Sequence, residues 1–219
     1  MSNEMVVVVA GGEAPPADAA RAVPAGARVI AADGGLEHAR ALGLDVELAV
    51  GDFDSASPAA VAAAEQEGVR VARHPADKDA TDLELALDAA LASEPARILV
   101  LAGVGERLDH LVSALHVLGS PRYDPVEVDA RVGAARVHVI RDERTLEGAP
   151  GELVSLLALH GPVEGVRTEG LEYPLAGETL EPGSSRGVSN RFVEETARVR
   201  VERGILLAVR PGPETEETT

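Results

Sequence analysis

This chain contains no cysteine and no tryptophan, and among its 219 residues only two are phenylalanine and two tyrosine. The missing cysteine excludes disulfides, thiolate zinc sites and cysteine nucleophiles. With so few aromatics, Val, Leu and Ala must fill the core, and Phe53 and Phe192 both fall inside polar motifs. Lysine is nearly absent as well: of 20 cationic residues, Lys78 is the single lysine. That bias fits either a carboxylate surface that stays hydrated at high salt or a GC-rich genome that favours Ala, Arg, Gly and Val codons. A net charge of −17 argues against nucleic acid or an anionic membrane as partner, since both need basic surface. No apolar run approaches the roughly 20 residues that span a bilayer. The start, Met1-Ser2-Asn3-Glu4-Met5, lacks the charged and apolar regions of a secretory signal. A cytoplasmic protein is the expectation.

What is present changes in texture near residue 133. Before it, apolar runs at residues 5–10, 28–32, 48–50, 69–72 and 98–101 alternate with helix signals. Ser57-Pro58 supplies a cap and a first-turn proline. Thr81 can cap a helix over 82–92, where Leu83, Leu87 and Leu91 recur every fourth residue, and Leu111, Leu115 and Leu118 make a similar stripe. Strand, turn and helix in repetition predict a parallel sheet with helices on both faces, a Rossmann-like α/β domain over residues 1–133. After it, β-like runs at 136–141, 153–159, 163–168, 197–201 and 205–209 follow one another without a helix stripe. They predict an antiparallel β-sandwich over residues 134–211. Residues 212–219, acidic and Thr-rich, read as a disordered tail.

Three acidic clusters sit where an apolar run ends or a helical pattern begins: Gly51-Asp52-Phe53-Asp54-Ser55, Lys78-Asp79-Ala80-Thr81-Asp82 and Arg107-Leu108-Asp109-His110. In an open α/β sheet that is the edge where ligands bind. Asp52 and Asp54 alternate, so in an extended segment both carboxylates face one cation. Carboxylates with one lysine and several glycines suit a magnesium-polyphosphate site, the metal held by hard oxygens and the phosphates by cations and backbone N–H groups. Asp82 can equally stabilise a helix N-terminus, and Lys78 before that terminus can hold phosphate as a point charge. Asp33-Gly34-Gly35 ends the second strand, either as a ligand-approach turn or as an ordinary connection. The dinucleotide fingerprint G-x-G-x-x-G is absent after the first strand, which disfavours a nicotinamide dehydrogenase. Gly103 to His110 offers a glycine turn followed by Arg107, Asp109 and His110. In the second half, Gly183-Ser184-Ser185-Arg186-Gly187-Val188-Ser189-Asn190 is a polar loop between strands.

Taken in order, Ala32-Asp33-Gly34-Gly35, the three acidic clusters, Gly170-Leu171-Glu172-Tyr173-Pro174-Leu175 and Ser185-Arg186-Gly187-Val188-Ser189-Asn190 resemble the thiamine pyrophosphokinase family. The likeness runs over nearly the whole chain. It implies an N-terminal α/β domain and a C-terminal β-sandwich, paired as a homodimer with thiamine bound near the interface. It also implies a reaction in which ATP and thiamine give thiamine diphosphate and AMP. By that resemblance Asp52, Asp54 and Asp82 are catalytic and hold Mg²⁺. Asp33, Gly34, Lys78, Thr81, Arg107, Asp109 and His110 line the nucleotide site, and Ser189, Asn190 and Phe192 meet thiamine. The chain departs from the family pattern at Glu106, where a second glycine is usual, at Arg191, where an acid is frequent, and in having no Trp, which leaves Phe192 as the nearest aromatic. A diphosphokinase for another small alcohol, such as a hydroxymethylpterin, and a non-catalytic nucleotide or thiamine-diphosphate binder are the alternatives.

Overall fold

The protein is described by a computed structural model over residues 5–105 and 107–212. The expectations at Glu106 and for the tail from residue 213 onward lie outside the described residues. Contacts divide the chain into two compact units, Met1–Val117 with Pro125–Gly133, and Leu118–Asp124 with Ala134–Thr219. Residues 118–124 thus go with the second unit although they precede the change of texture at 133.

The first unit is a parallel sheet. Its strands are β1 (Met5–Val9), β2 (Arg28–Ala32), β3 (Val46–Gly51), β4 (Arg70–Arg73), β5 (Arg97–Ala102) and β6 (Glu127–Val132), in the order β4-β3-β2-β1-β5-β6. Every pairing in this set is parallel. Val6, Val7, Val8 and Val9 are all buried, as are Ile98, Leu99, Val100 and Leu101, so both faces of the central strands are covered and alternation disappears from the sequence. Helices α1 (Gly35–Ala41), α2 (Pro58–Gln66), α3 (Asp82–Leu91) and α4 (Leu108–Leu118) connect the strands. Leu36 of α1 and Val61 and Ala64 of α2 share one apolar cluster with Ala31 and Ala49 of the sheet. Helix α3 packs on β1, β2 and β3 and buries Ala86, Leu87 and Ala90. Strand β6 was not expected, because Glu127, Asp129 and Arg131 interrupt its apolar residues. The Leu111, Leu115 and Leu118 stripe does form a helix, but only Leu118 is buried within it.

The second unit is antiparallel. Its strands are β7 (Ala135–Ile140), β8 (Glu143–Glu147), β9 (Leu153–Glu169), β10 (Ala176–Leu180), β11 (Asn190–Arg191), β12 (Thr196–Arg200) and β13 (Arg203–Arg210). Residues 153–159 and 163–168, expected as separate strands, are one long β9. The chain bends at His160, with φ of 63°, and Gly161 without reversing. Up to Leu159, β9 pairs β13, which pairs β7; beyond the bend it pairs β10 and β12, meeting β13 again only at Glu164 opposite Arg203, and β12 pairs β8. A strand that passes from one sheet to the other at a bend is a sandwich corner. Between the layers lie Ile140, Leu156, Val163, Val166, Leu180, Phe192, Val199 and Leu206.

Gly35 shows how tightly the first unit closes. A Cβ there would lie 2.1 Å from the Val9 carbonyl oxygen, so α1 enters against the end of β1 only because no side chain intervenes. Gly35→Ala is therefore expected to cost about 1–3 kcal/mol through overpacking, read as a lower urea midpoint with an unchanged m-value.

Candidate active site

Three carboxylates gather at the C-terminal edge of the parallel sheet. Asp33 follows β2, Asp52 follows β3, and Asp82 opens α3. Each offers an oxygen, and these oxygens lie within 4.8 Å of one another. Lys78 bridges two of them, its Nζ 2.8 Å from Asp52 Oδ2 and 2.9 Å from Asp82 Oδ1. With all groups ionised, three carboxylates and one ammonium leave a formal double negative charge.

The backbone makes this convergence possible. Asp33 sits at φ 48°, in the left-handed region that Asp tolerates better than most residues. Its N–H donates to the Val50 carbonyl, which ties the ends of β2 and β3 together. Gly51 stands behind the cluster: a Cβ there would lie 3.1 Å from both the Asp33 Cβ and Asp82 Oδ1. Thr81 caps α3, its hydroxyl accepting the Glu84 N–H at 3.2 Å, so Asp82 lies in the first helical turn, where a carboxylate is favoured.

Asp54 is not brought into this trio. Phe53 adopts φ 60°, which breaks the extended alternation that would point Asp52 and Asp54 the same way. Asp54 is exposed, accepting the Ser55 hydroxyl at 2.9 Å, and its N–H donates to Asp52 Oδ1 at 3.3 Å. The Phe53 ring packs against the α1–α2 cluster, with the Arg73 guanidinium 5.4 Å from its centroid.

Asp33 is the carboxylate that sequence reasoning placed on the nucleotide instead. It is 6 % exposed, and its Oδ1 has no hydrogen-bond partner. Burial raises its pKa, reinforced by the charges of Asp82 and Asp54 and opposed by hydrogen bonds from Ser55 and Gly34. Asp52 moves the other way, held low by its hydrogen bond from Lys78. Desolvation pulls the Lys78 pKa down, but the hydrogen bonds to Asp52 and Asp82 outweigh it and the ammonium is stabilised.

Around this cluster the glycine turn at 103–105 is tied to a loop that the sequence did not single out. Gly103 N–H donates to the Glu13 carbonyl and Gly105 N–H to Glu13 Oε2 at 2.8 Å. Gly34 lies beside Ser55. Arg107 and Asp109 are exposed and form a bidentate pair at 2.9 and 2.6 Å, which lowers the Asp109 pKa well below the carboxylate range. His110 is exposed at the start of α4.

The second unit carries a separate cavity of about 350 Å³, lined by Tyr173, Leu175, Ser184, Ser185, Arg186, Gly187, Val188 and Asn190. Ser189 is exposed at φ 57°, with its N–H on Ser155 Oγ. Asn190 is 2 % exposed. Phe192 does not face this cavity: its ring is 1 % exposed in the sandwich core, against Gly148 and 5.4 Å from the Arg210 guanidinium.

The burial of Asp33 has a consequence for stability. A carboxyl whose folded pKa is raised binds its proton more tightly in the fold than in the unfolded chain. Its contribution therefore falls as pH rises from the unfolded toward the folded value, and the loss persists at neutral pH. Asp33→Asn is expected to melt at a higher temperature than the wild type near neutral pH, in protein stripped of divalent cations. The difference should shrink in acid, as the wild-type carboxyl takes up its proton.

Comparison with known proteins joins the two halves. The family model of the thiamin pyrophosphokinase catalytic domain matches residues 21–128, and that of the thiamin pyrophosphokinase vitamin B1 binding domain matches residues 136–206. The thiamine pyrophosphokinase of Bacillus subtilis (strain 168) is 26% identical over 172 residues, 74% of this chain and 77% of its own. A crystal structure of thiamine pyrophosphokinase from Bacillus subtilis superposes with a TM-score of 0.84 at 24% identity, covering 96% of this chain and 100% of that one. A thiamin pyrophosphokinase family protein from Enterococcus faecalis superposes with a TM-score of 0.80 at 26% identity, with 96% and 100% covered. A catalytic-domain match on the unit that holds the carboxylates and a vitamin-binding match on the unit that holds the cavity place this chain in the thiamine pyrophosphokinase family.

Proposed function

We propose that this protein transfers the pyrophosphoryl group of ATP to the hydroxyl of thiamine, giving thiamine diphosphate and AMP. The observation that carries the reading is the carboxylate trio bridged by Lys78 at the C-terminal edge of the sheet. The α3 N-terminus favours Asp82 and Lys78 offsets part of the repulsion, but a buried, unpartnered Asp33 oxygen among like charges calls for a ligand that brings positive charge.

A divalent cation fits it. The unpartnered, buried Asp33 Oδ1 and the hard oxygen donors suit Mg²⁺. Asp33, Asp52 and Asp82 would hold the ion, which when bound neutralises charge on the transferring phosphates. Lys78, released from Asp52 and Asp82, turns its ammonium to a phosphate oxygen. Arg107 exchanges Asp109 for a phosphate in the same bidentate manner, and the free N–H groups at the start of α3 lie beside Thr81 for the same purpose. Gly34 leaves the backbone open to the nucleotide, and His110 borders it.

In the second unit Ser189 and the cavity beside it take thiamine. The thiamine hydroxyl oxygen attacks the β-phosphorus in line. The bond from that phosphorus to the α–β bridging oxygen breaks, and AMP leaves with the bridging oxygen. Asp54, exposed beside the trio and not held by Lys78, accepts the hydroxyl proton. Positioning and electrostatic stabilisation supply most of the rate. We place the reaction in the cytoplasm and in a homodimer. The apolar face of α4 supports the dimer, since it leaves Leu108 70% exposed and Val112 46% exposed. No helix among the described residues is long and apolar enough to cross a membrane.

Incubation with ATP, Mg²⁺ and thiamine is expected to yield thiamine diphosphate and AMP in equal amounts, separated by chromatography. Asp52→Asn and Asp82→Asn, with unchanged circular dichroism, should lower kcat by about 10²-fold or more. Failure of the wild type to phosphorylate thiamine at any salt concentration would overturn the assignment.

A further inference from the structure

Strand order reverses at β1. From it the sheet runs to β2, β3 and β4 on one side and to β5 and β6 on the other. In open α/β sheets the ligand crevice lies at such a reversal, outside the carboxyl ends of the strands. The loop that leaves β1 there, Gly11-Gly12-Glu13-Ala14-Pro15-Pro16, lacks the glycine fingerprint of dinucleotide sites. It carries a carboxylate instead.

Glu13 fastens this loop to the turn after β5. Its carbonyl accepts the Gly103 N–H at 3.1 Å, and its Oε2 accepts the Gly105 N–H at 2.8 Å, from 92 positions along the chain. Loop and turn lie flush: a Cβ on Gly103 would stand 2.5 Å from the Glu13 carbonyl oxygen and 2.8 Å from that of Ala14. On the other side, the Gly12 carbonyl lies 2.9 Å from His38 Nε2, which donates because a carbonyl can only accept. His38 belongs to α1, whose first residue lies two beyond Asp33. The loop thus links the helix that follows Asp33 to the turn that precedes Arg107. Pro15 and Pro16 stiffen its exit, since proline fixes its own φ and confines the residue before it to extended backbone.

We propose that Glu13 is a positioning residue for the nucleotide: it straps the β1 loop to the glycine turn and so presets Arg107, two residues beyond Gly105, for the polyphosphate. This rests on the assignment of Arg107 to the ATP phosphates made above. What acts is the acceptor oxygen and not the charge. A negative charge on this edge opposes a polyphosphate, whereas a hydrogen bond that orders the turn beforehand spares the nucleotide that cost. The two contributions have opposite sign, so substitution separates them. Glu13 is exposed, and its side chain can be changed without opening the core.

The test is calorimetric titration of Mg·ATP into the protein without thiamine, with steady-state kinetics beside it. Glu13→Ala is expected to weaken ATP about fivefold and to leave the thiamine KM unchanged. Glu13→Gln keeps an acceptor oxygen and loses the charge, so it should bind ATP at least as tightly as the wild type. Arg107→Gln leaves the strap nothing to preset, and adding Glu13→Ala to it should weaken ATP further by about twofold or less. Amide exchange of residues 103–105 should quicken in Glu13→Ala and not in Glu13→Gln. Wild-type ATP affinity in Glu13→Ala, tighter binding in both single variants, equal weakening in both, or the full fivefold loss on top of Arg107→Gln would each overturn the inference. Wild type that shows the expected ATP pattern but makes no thiamine diphosphate would uphold the strap and overturn thiamine as acceptor. Wild type that binds no ATP would overturn both.

Discussion

Like charge held at close range is the constraint around which the first unit is arranged. Asp33, Asp52 and Asp82 present oxygens within 4.8 Å of one another, and Lys78 is the cation that spans two of them. A buried carboxylate without a partner is unfavourable, and Asp33 is in that position at one oxygen. The parallel strands must therefore impose it. Both faces of β1, β2 and β5 are buried in aliphatic side chains, which leaves the strand ends little freedom, and the Asp33-to-Val50 hydrogen bond locks two of those ends together. The single lysine of a chain with net charge −17 stands where the negative potential of the cluster is most concentrated.

Backbone conformation follows the same logic. Asp33, Phe53 and Ser189 all take positive φ, a conformation that costs non-glycine residues of the order of 1–3 kcal/mol each at strained sites. Each lies in a motif that the sequence marked as functional. At Phe53 the consequence is direct, because the left-handed residue sends Asp52 into the cluster and leaves Asp54 outside it. At Gly51 the requirement is space instead: any side chain would press on Asp33 and Asp82 together.

The strands of the first unit were legible because burial on both faces produces unbroken apolar runs, and the helix starts because Ser57 and Thr81 do cap α2 and α3. Strand β6 was not legible, since alternating Glu127, Asp129 and Arg131 look like surface. There Arg97 pairs with the buried Asp129 and satisfies it. The bend in β9 was read as two strands because His160-Gly161-Pro162 resembles a turn in sequence. Within the site, residue types pointed to the loops that hold Asp33, Asp52 and Asp82, but local spacing could not show which carboxylates converge. Asp33 and Asp82 lie far apart in sequence and meet only through the order of strands. Phe192 read as a ligand contact because, in a chain without Trp, it is the aromatic nearest Ser189-Asn190. Its inward parity with Asn190 across β11 and the following residue becomes visible only once that short strand pairs β9.

The central claim is that the trio is a cation site in the protein itself. Electron paramagnetic resonance of Mn²⁺ titrated into the nucleotide-free protein tests it most directly. One bound Mn²⁺ per chain is expected in the wild type, displaced by Mg²⁺ and lost in Asp82→Asn while Asp109→Asn retains it. Equal Mn²⁺ binding in the wild type and Asp82→Asn, or none in either, would contradict it and leave the clustered carboxylates without a ligand.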